Sequence, residues 1–153
     1  PAFTGAYGFI PEENERDSYL QALKGRDGLS SPSVPALVAH IAAYRDGAPW
    51  LDALRDYLQA NMRYVADTLN NAFPALCWQP PEATYLAWID LRPLNVDDRA
   101  LQQALIAEQK VAIMPGYTYG PEGNGFLRLN VGCPREKLER GVEGLIAALR
   151  SLS

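Results

Sequence analysis

The stretch Gly125-Phe126-Leu127-Arg128-Leu129-Asn130 decides the fold, because it is typical of a β-strand with one arginine at its centre. Side chains alternate between the two faces of a strand. One face carries three aliphatic side chains, Leu127, Leu129 and Val131. The other carries Phe126, Arg128 and Asn130. The first face is typical of a core. The second face carries a guanidinium close to that core, and such a charge requires an anionic partner.

The spacing alone leaves two interpretations of Arg128 open. In one, Arg128 lies on a solvated strand and pairs with a carboxylate of a neighbouring element, which is an ordinary surface arrangement. In the other, Arg128 binds an anionic ligand, because a planar guanidinium grips a carboxylate with two parallel hydrogen bonds.

The segments around this strand predict a small α/β fold. From residue 49 onward the order is helix, strand, helix, strand, strand, helix, which predicts a short, largely antiparallel sheet with helices on one side. The predicted strands span 4–10, 84–91, 111–114 and the Arg128 stretch, and the predicted helices span 14–24, 34–45, 49–73, 97 or 98 to about 109, and 134 onward. We expect segment 84–91 to be covered on both faces, the aromatic residues of helix 49–73 to be core, and the glycine-rich segment 115–124 to be a mobile turn.

Composition and charge exclude several classes of function. The 153 residues carry a formal net charge of −4 with a pI near 5.0, which argues against a nucleic-acid partner because phosphate binding needs a basic patch. No apolar run approaches the length of a membrane span. Cys77 and Cys133 lie far apart in apolar contexts, so we expect buried free thiols in a cytoplasmic protein.

Motifs that would make the chain a complete enzyme are missing. The single histidine, His40, lies within a helical pattern and is interpreted as structural, and clustered ligands for a metal are absent. The glycines between residues 116 and 125 lack the Lys-Ser/Thr pair of a phosphate-binding loop. The chain starts at Pro1 with an almost uncharged segment, so we expect it to be the C-terminal piece of a longer protein.

Four stretches together carry a family resemblance: residues 22–33 (ALKGRDGLSSPS), 83–92 (ATYLAWIDLR), 111–120 (VAIMPGYTYG) and 126–135 (FLRLNVGCPR). The chain resembles the fold-type-I pyridoxal-phosphate enzymes, and among them the MalY/PatB group of cystathionine β-lyases, over essentially its whole length. The resemblance implies that residues 1–47 end the large cofactor domain, and that 48–153 form the long connecting helix and the small C-terminal domain. It also implies a homodimer and pyridoxal 5'-phosphate as the cofactor of the intact protein.

The resemblance implies different roles for the cations of the chain. Arg128 matches the arginine that binds the substrate α-carboxylate, and Asn130 on the same face either orients Arg128 or is an ordinary strand neighbour. The lysine that holds the cofactor falls before Pro1 in the family. None of Lys24, Lys110 and Lys137 has that context, so no catalytic residue is expected in this chain.

The resemblance favours a C–S β-lyase that cleaves cystathionine or cysteine-type substrates to a thiol, ammonia and a keto acid. Related aminotransferases carry a phosphate-binding arginine where this chain has Tyr7, which favours the lyase branch. Three alternatives stay open: a class I/II aminotransferase, a protein-binding regulator of a maltose-system activator, and a small module that binds an anion through Arg128. The serine-rich loop 30–33 matches a region near the dimer interface of relatives, and no contact is assigned to it.

Overall fold

The computed structural model describes residues 5–29 and 32–152. They divide into two compact units, with unit 1 ending at Ala53 and unit 2 beginning at Leu54. The helices are α1 (Glu13–Gln21), α2 (Val34–Asp46), α3 (Ala48–Ala72), α4 (Asp98–Ala107) and α5 (Arg135–Ser151). The strands are β1 (Leu86–Asp90), β2 (Met114–Pro115) and β3 (Phe126–Asn130). The division between the units therefore falls inside α3.

Helices α1 and α2 of unit 1 begin in different ways. Helix α2 begins after Ser33, whose hydroxyl accepts a hydrogen bond from the backbone N–H of Ala36 at 3.3 Å, as an N-cap serine does. Helix α1 begins one residue before the predicted start at residue 14, and Glu12 precedes it without a side-chain cap. A π-helical turn, Ala22–Arg26, then extends the helical path two residues beyond the predicted end at residue 24.

The strand predicted at 4–10 is wrong for the residues that the structure describes. Residues 5–10 form no regular element, and Thr4 lies outside the described residues. A strand needs a neighbour to receive its backbone hydrogen bonds, and the described residues of unit 1 contain no second strand. An apolar sequence alone therefore does not make this segment a strand.

Helix α3 has the predicted bounds to within one residue, but its apolar stripe is not buried along its whole length. Val65 and Leu69 are fully buried, whereas Trp50 is 70% exposed and Tyr57 is 41% exposed. The prediction that the aromatic residues of this helix are core is wrong for these two. The stripe is core only toward the C-terminal end of the helix, within unit 2.

Unit 2 contains a three-stranded antiparallel sheet in the order β1-β3-β2. Strand β1 starts later than predicted because Thr84 has a positive φ of 74°, which breaks the extended backbone. Strand β2 is only two residues long, and its second residue, Pro115, has no N–H to donate to a ladder. Segment 84–91 is not covered on both faces: Ala87 and Ile89 are fully buried, while Trp88 between them is 39% exposed.

The helices of unit 2 all cover the same face of the sheet. One core joins aliphatic residues of β1 and β3 to those of the helices, including Leu69, Leu105, Leu127, Leu138 and Leu145. Helix α4 begins where predicted because the Asp97 carboxylate accepts hydrogen bonds from the N–H groups of Arg99 and Ala100. The short antiparallel sheet with helices on one side is confirmed.

The glycine-rich segment after β2 is folded into two 3₁₀ turns, Gly116–Tyr119 and Pro121–Gly123. Gly116 and Gly123 touch through their backbones, and a Cβ on either would collide with the carbonyl oxygen of the other. The prediction of a mobile turn did not foresee this close packing. Both cysteines are free as predicted, but neither is buried, since Cys77 is exposed and Cys133 is half-buried.

No helix formed by the described residues has the length and apolar character that a membrane span requires.

Candidate functional site

Arg128 lies at the centre of the uncovered face of the sheet. It is on the middle strand, β3, and its cross-strand partners are Trp88 on β1 and Met114 on β2. The predicted alternation of β3 is confirmed, because Leu127, Leu129 and Val131 are buried under the helices. The guanidinium therefore stands on the open face, with the hydrophobic core directly behind its strand.

The surroundings of Arg128 leave much of its hydrogen-bonding capacity unused. The Nε atom is buried and has no hydrogen-bond partner. None of the ion pairs among the described residues includes Arg128. Its guanidinium carbon instead lies 5.0 Å from the centre of the Tyr119 ring, a cation–π contact. The neighbouring carboxylate that the surface interpretation requires is absent from the described part of the chain.

Three aromatic side chains form a continuous cluster beside Arg128. Phe126 and Trp88 stack with ring centres 5.5 Å apart, and Trp88 meets Tyr119 edge-on at 5.7 Å. Such offset and edge-to-face pairs are the favoured aromatic geometries. The cluster gives this face of the sheet an apolar wall that ends at the guanidinium of Arg128.

A second arginine on this face is already paired. The Nη2 atom of Arg92 lies 2.6 Å from the Oδ2 atom of Asp90. The guanidinium carbon of Arg92 also lies 4.6 Å from the centre of the Phe126 ring. The hydrogen bond from the Arg92 side chain lowers the pKa of Asp90 below its usual value. Asp90 already neutralises Arg92, whereas Arg128 has no carboxylate partner among the described residues.

Arg128 also lies in the wall of a cleft of about 620 Å³ within unit 2. The described residues that line it include four cations and no carboxylate: Lys110, Arg128, Lys137 and Arg140. A concave surface lined by charges of one sign attracts ligands of the opposite sign. The cleft is therefore suited to an anionic ligand, although the chain as a whole is acidic.

The C-terminal end of β3 is tied to helix α3. Asn61, only 1% exposed, donates from Nδ2 to the carbonyl oxygen of Val131 at 2.9 Å, and a longer bond of 3.4 Å reaches that of Cys133. The Tyr57 hydroxyl donates to the same Cys133 carbonyl at 2.9 Å. These bonds hold the chain that leaves the Arg128 strand against α3.

The other residues singled out from the sequence lie elsewhere. The side chains of Lys24, Lys110 and Lys137 are all exposed. Asn130 does not hold Arg128, because its Oδ1 accepts from the N–H of Gly132 at 2.8 Å and closes the turn after β3. Tyr7 is 75% exposed, and its hydroxyl bonds that of Tyr44 at 2.8 Å.

Two further predictions concern residues of unit 1. His40 is half-buried and lies against Gly5, where a Cβ would come within 2.9 Å of its ring. In the loop 30–33, Ser30 and Ser31 lie outside the described residues, and Ser33 caps α2.

Reasoning from the sequence missed Tyr119, Trp88 and Asn61 as neighbours or supports of Arg128. Asn61 could have been found, because it is a polar residue at a position of the α3 stripe where the spacing calls for an apolar one. The pairing of Trp88 with Arg128 depends on strand register, and Tyr119 depends on how the glycine-rich segment folds. No local signal in the sequence determines either of them.

Among residues 5–29 and 32–152, no group of three or more histidine, cysteine or acidic side chains is arranged to hold a metal ion.

Comparison with known proteins places this geometry in a family context. The family model for aminotransferase class I and II matches residues 2–145. The chain is 70% identical over 152 residues to protein MalY of Escherichia coli K12, which covers 99% of this chain and 39% of MalY. It is 38% identical over 140 residues to cystathionine β-lyase PatB of Bacillus subtilis, covering 92% of this chain and 36% of PatB.

A solved structure agrees with the fold. The pyridoxal-phosphate-bound C–S lyase from Staphylococcus hominis superposes with a TM-score of 0.77 at 30% identity, over 92% of this chain and 36% of that enzyme. The chain thus spans little more than a third of the length of the relatives it matches. The resemblance found in the sequence is confirmed.

Proposed function

The chain belongs to the aminotransferase class I and II family, and on that premise we propose that it is the substrate-carboxylate-binding part of a pyridoxal-phosphate-dependent C–S β-lyase. The intact protein would cleave cystathionine or related cysteine thioethers to a thiol, ammonia and a keto acid. The identities to MalY and to the lyase PatB support this choice. The observation that carries it is Arg128, a half-buried arginine with a buried, unpartnered Nε in a basic cleft.

Arg128 would bind the α-carboxylate of the amino-acid substrate. A guanidinium offers paired N–H donors in the spacing of a carboxylate, so it fixes both the position and the orientation of the bound group. The helix-covered core behind β3 and the aromatic wall beside Arg128 restrain its movement. Lys110, Lys137 and Arg140 add attraction for an anion without competing for the same donors.

The residues of this chain fit the substrate better than they fit the cofactor. When bound, pyridoxal phosphate supplies the electron sink for bond cleavage next to the amino group. Burial in a desolvated pocket is one way in which a lysine is activated to form a Schiff base. Lys24, Lys110 and Lys137 are exposed instead, so we assign none of them that role. The part of this chain in the reaction is to bind and orient the carboxylate.

The experiment is to replace Arg128 in the intact protein. We expect Arg128→Ala to lower kcat/KM by about 30- to several-thousand-fold, because a charge-assisted contact worth roughly 2–5 kcal/mol is lost. Arg128→Lys should recover only part of this, since an ammonium keeps the charge but not the two parallel bonds. Thermal stability and cofactor absorbance should stay close to wild type, because the guanidinium is on the open face.

Arg140→Ala is the matched control, since it removes an exposed cation from the same cleft. It should change kcat/KM by no more than a few-fold, the size of an exposed electrostatic effect of about 1 kcal/mol or less. Unchanged kcat/KM in a folded Arg128→Ala protein would contradict the proposed role. A loss of stability with unchanged kcat/KM would instead assign Arg128 to the fold.

A class I/II aminotransferase is the second candidate, and the family model itself supports it. Product analysis separates the two, because a lyase releases a thiol and ammonia whereas an aminotransferase needs a keto-acid acceptor. A cytoplasmic homodimer and a transcriptional-activator partner from a maltose system remain predictions from the family resemblance. The exposed apolar residues of α2, among them Val38 and Ile41, are compatible with burial by a second copy.

A further inference from the structure

To bind a carboxylate in one geometry, the Arg128 side chain needs a contact that holds it in one orientation. An arginine side chain loses considerable rotamer entropy when it is held in one conformation. In many proteins a carboxylate partner does this, but a carboxylate would occupy the same N–H donors that a substrate carboxylate needs. The described residues provide no such partner for Arg128, and they provide the face of Tyr119 instead.

Two other arginines of unit 2 show what Arg128 lacks. Arg92 has both an aromatic ring, Phe126 at 4.6 Å, and a carboxylate, Asp90 at 2.6 Å. Arg135 likewise combines the Tyr64 ring at 3.8 Å with a carboxylate, that of Glu139, at 2.8 Å. Arg128 has the ring without the carboxylate. Its carboxylate position is open to a ligand.

Arg99 also lies over a ring, that of Tyr117 at 5.3 Å, without a carboxylate among the described residues. Arg99 is exposed, so its donors are accessible to solvent, whereas the Nε of Arg128 is buried. The combination of ring, burial and free donors therefore distinguishes Arg128 from the other arginines of unit 2.

Tyr119 is held firmly enough to act as a support. It ends the first 3₁₀ turn after β2, where the Thr118 hydroxyl donates to the carbonyl of Pro115 at 2.7 Å. The backbone contact between Gly116 and Gly123 closes the same segment. Trp88 meets the Tyr119 ring edge-on at 5.7 Å, so strand β1 braces it from the side.

We infer that Tyr119 is a positioning residue, whose ring holds the guanidinium of Arg128 in place while leaving its N–H donors free for the substrate carboxylate. This inference rests on the proposed function of Arg128. A π-face attracts the cation as a whole and does not consume its hydrogen bonds. The phenol hydroxyl is not needed for this role, so phenylalanine should replace tyrosine.

The test uses the intact protein with its cofactor and a ligand that cannot react. The probe is 3-(methylthio)propanoate, a thioether carboxylate without an amino group, and its dissociation constant is measured by titration calorimetry beside that of its uncharged amide. We expect Tyr119→Leu to weaken binding of the carboxylate by about 2- to 30-fold, the range of a cation–π contact. Tyr119→Phe should bind like wild type, and binding of the amide should be the same in all variants.

Tyr117→Leu is the matched control, because it removes a ring from the same turn that contacts Arg99 and not Arg128. It should leave the dissociation constant of the carboxylate unchanged. Steady-state kinetics with S-methylcysteine should give the same pattern, mainly as a raised KM for Tyr119→Leu. Tyr119 is 50% exposed, and Tyr119→Gln serves as a second variant if the leucine protein does not fold.

Each outcome decides the role of Tyr119. Unchanged carboxylate binding in folded Tyr119→Leu, together with weakened binding in Arg128→Ala, would overturn the inference and leave the proposed function intact. Unchanged binding in Arg128→Ala would overturn the proposed function itself. Equal losses for carboxylate and amide, or a loss in Tyr119→Phe as large as in Tyr119→Leu, would also overturn the positioning role.

Discussion

Units 1 and 2 both contain apolar helices, but only unit 2 buries them. Helix α2 of unit 1 buries one residue, Ala36, although its sequence includes several aliphatic side chains. Helix α5 of unit 2 buries six: Leu138, Val142, Gly144, Leu145, Ala148 and Leu149. The aliphatic side chains that α2 leaves exposed include Val34 at 71% and Ile41 at 62%.

The difference separates what a helix needs to form from what it needs to be stable. Caps and local hydrogen bonds define the ends of α2, but most of the stability of a helix in a protein comes from packing its apolar face. Unit 2 has such packing, and it therefore offers a rigid strand on which Arg128 can be held. Unit 1 has helical order without a core of its own.

The largest expected difference in the free energy of unfolding is between the same substitution, leucine to alanine, made in unit 2 and in unit 1. Leu145→Ala should lower the free energy of unfolding by about 2–5 kcal/mol, because it opens a cavity at a fully buried position. Leu37→Ala, at 46% exposure on α2, should change it by less than about 0.5 kcal/mol. Urea unfolding of the chain, followed by circular dichroism, measures both. Equal losses would mean that the apolar face of α2 is as well covered as that of α5.

A smaller effect is expected at Asn61, which links α3 to the end of β3. Asn61→Leu should lower the free energy of unfolding by about 1–3 kcal/mol, because it leaves the buried carbonyl of Val131 without its hydrogen-bond donor. Asn71→Leu, an exposed position on the same helix, is the control and should stay within about 0.5 kcal/mol of wild type. If both variants unfold alike, the bonds of Asn61 contribute nothing specific to unit 2.

The smallest effect is expected at the ion pair of Asp90 and Arg92. The pair lies at the surface, so Asp90→Asn should lower the free energy of unfolding by no more than about 1 kcal/mol. Folding lowers the pKa of Asp90. The pair therefore stabilises the folded state at pH values above about 3.9, the pKa of an aspartate in the unfolded chain. The stabilisation is lost as the pH falls through the lower folded value.

Urea unfolding at neutral and at acidic pH checks the sign of this effect. The difference between wild type and Asp90→Asn should shrink as the solution becomes acidic. A difference that grows on acidification would contradict the depressed pKa.

The strands show how far reasoning from the sequence reached. The period-two alternation of β3 predicted correctly which side chains enter the core, because burial of one face leaves a clear pattern. The continuous apolar run of 84–91 was misleading, since Trp88 is apolar and yet lies on the open face. The aromatic cluster of that face makes an apolar side chain favourable without burying it in the core.

The sequence by itself determined the order of the helices and strands from residue 49 onward, the starts of α2 and α4, the core-facing side of β3 and the family. These depend on signals within a few residues, such as the caps at Ser33 and Asp97, or on similarity along the chain. Only the tertiary structure decided that Arg128 meets Tyr119 and no described carboxylate, and that Asn61 supports its strand. These contacts join residues distant in sequence, and strand register and loop closure, which no short segment encodes, bring them together.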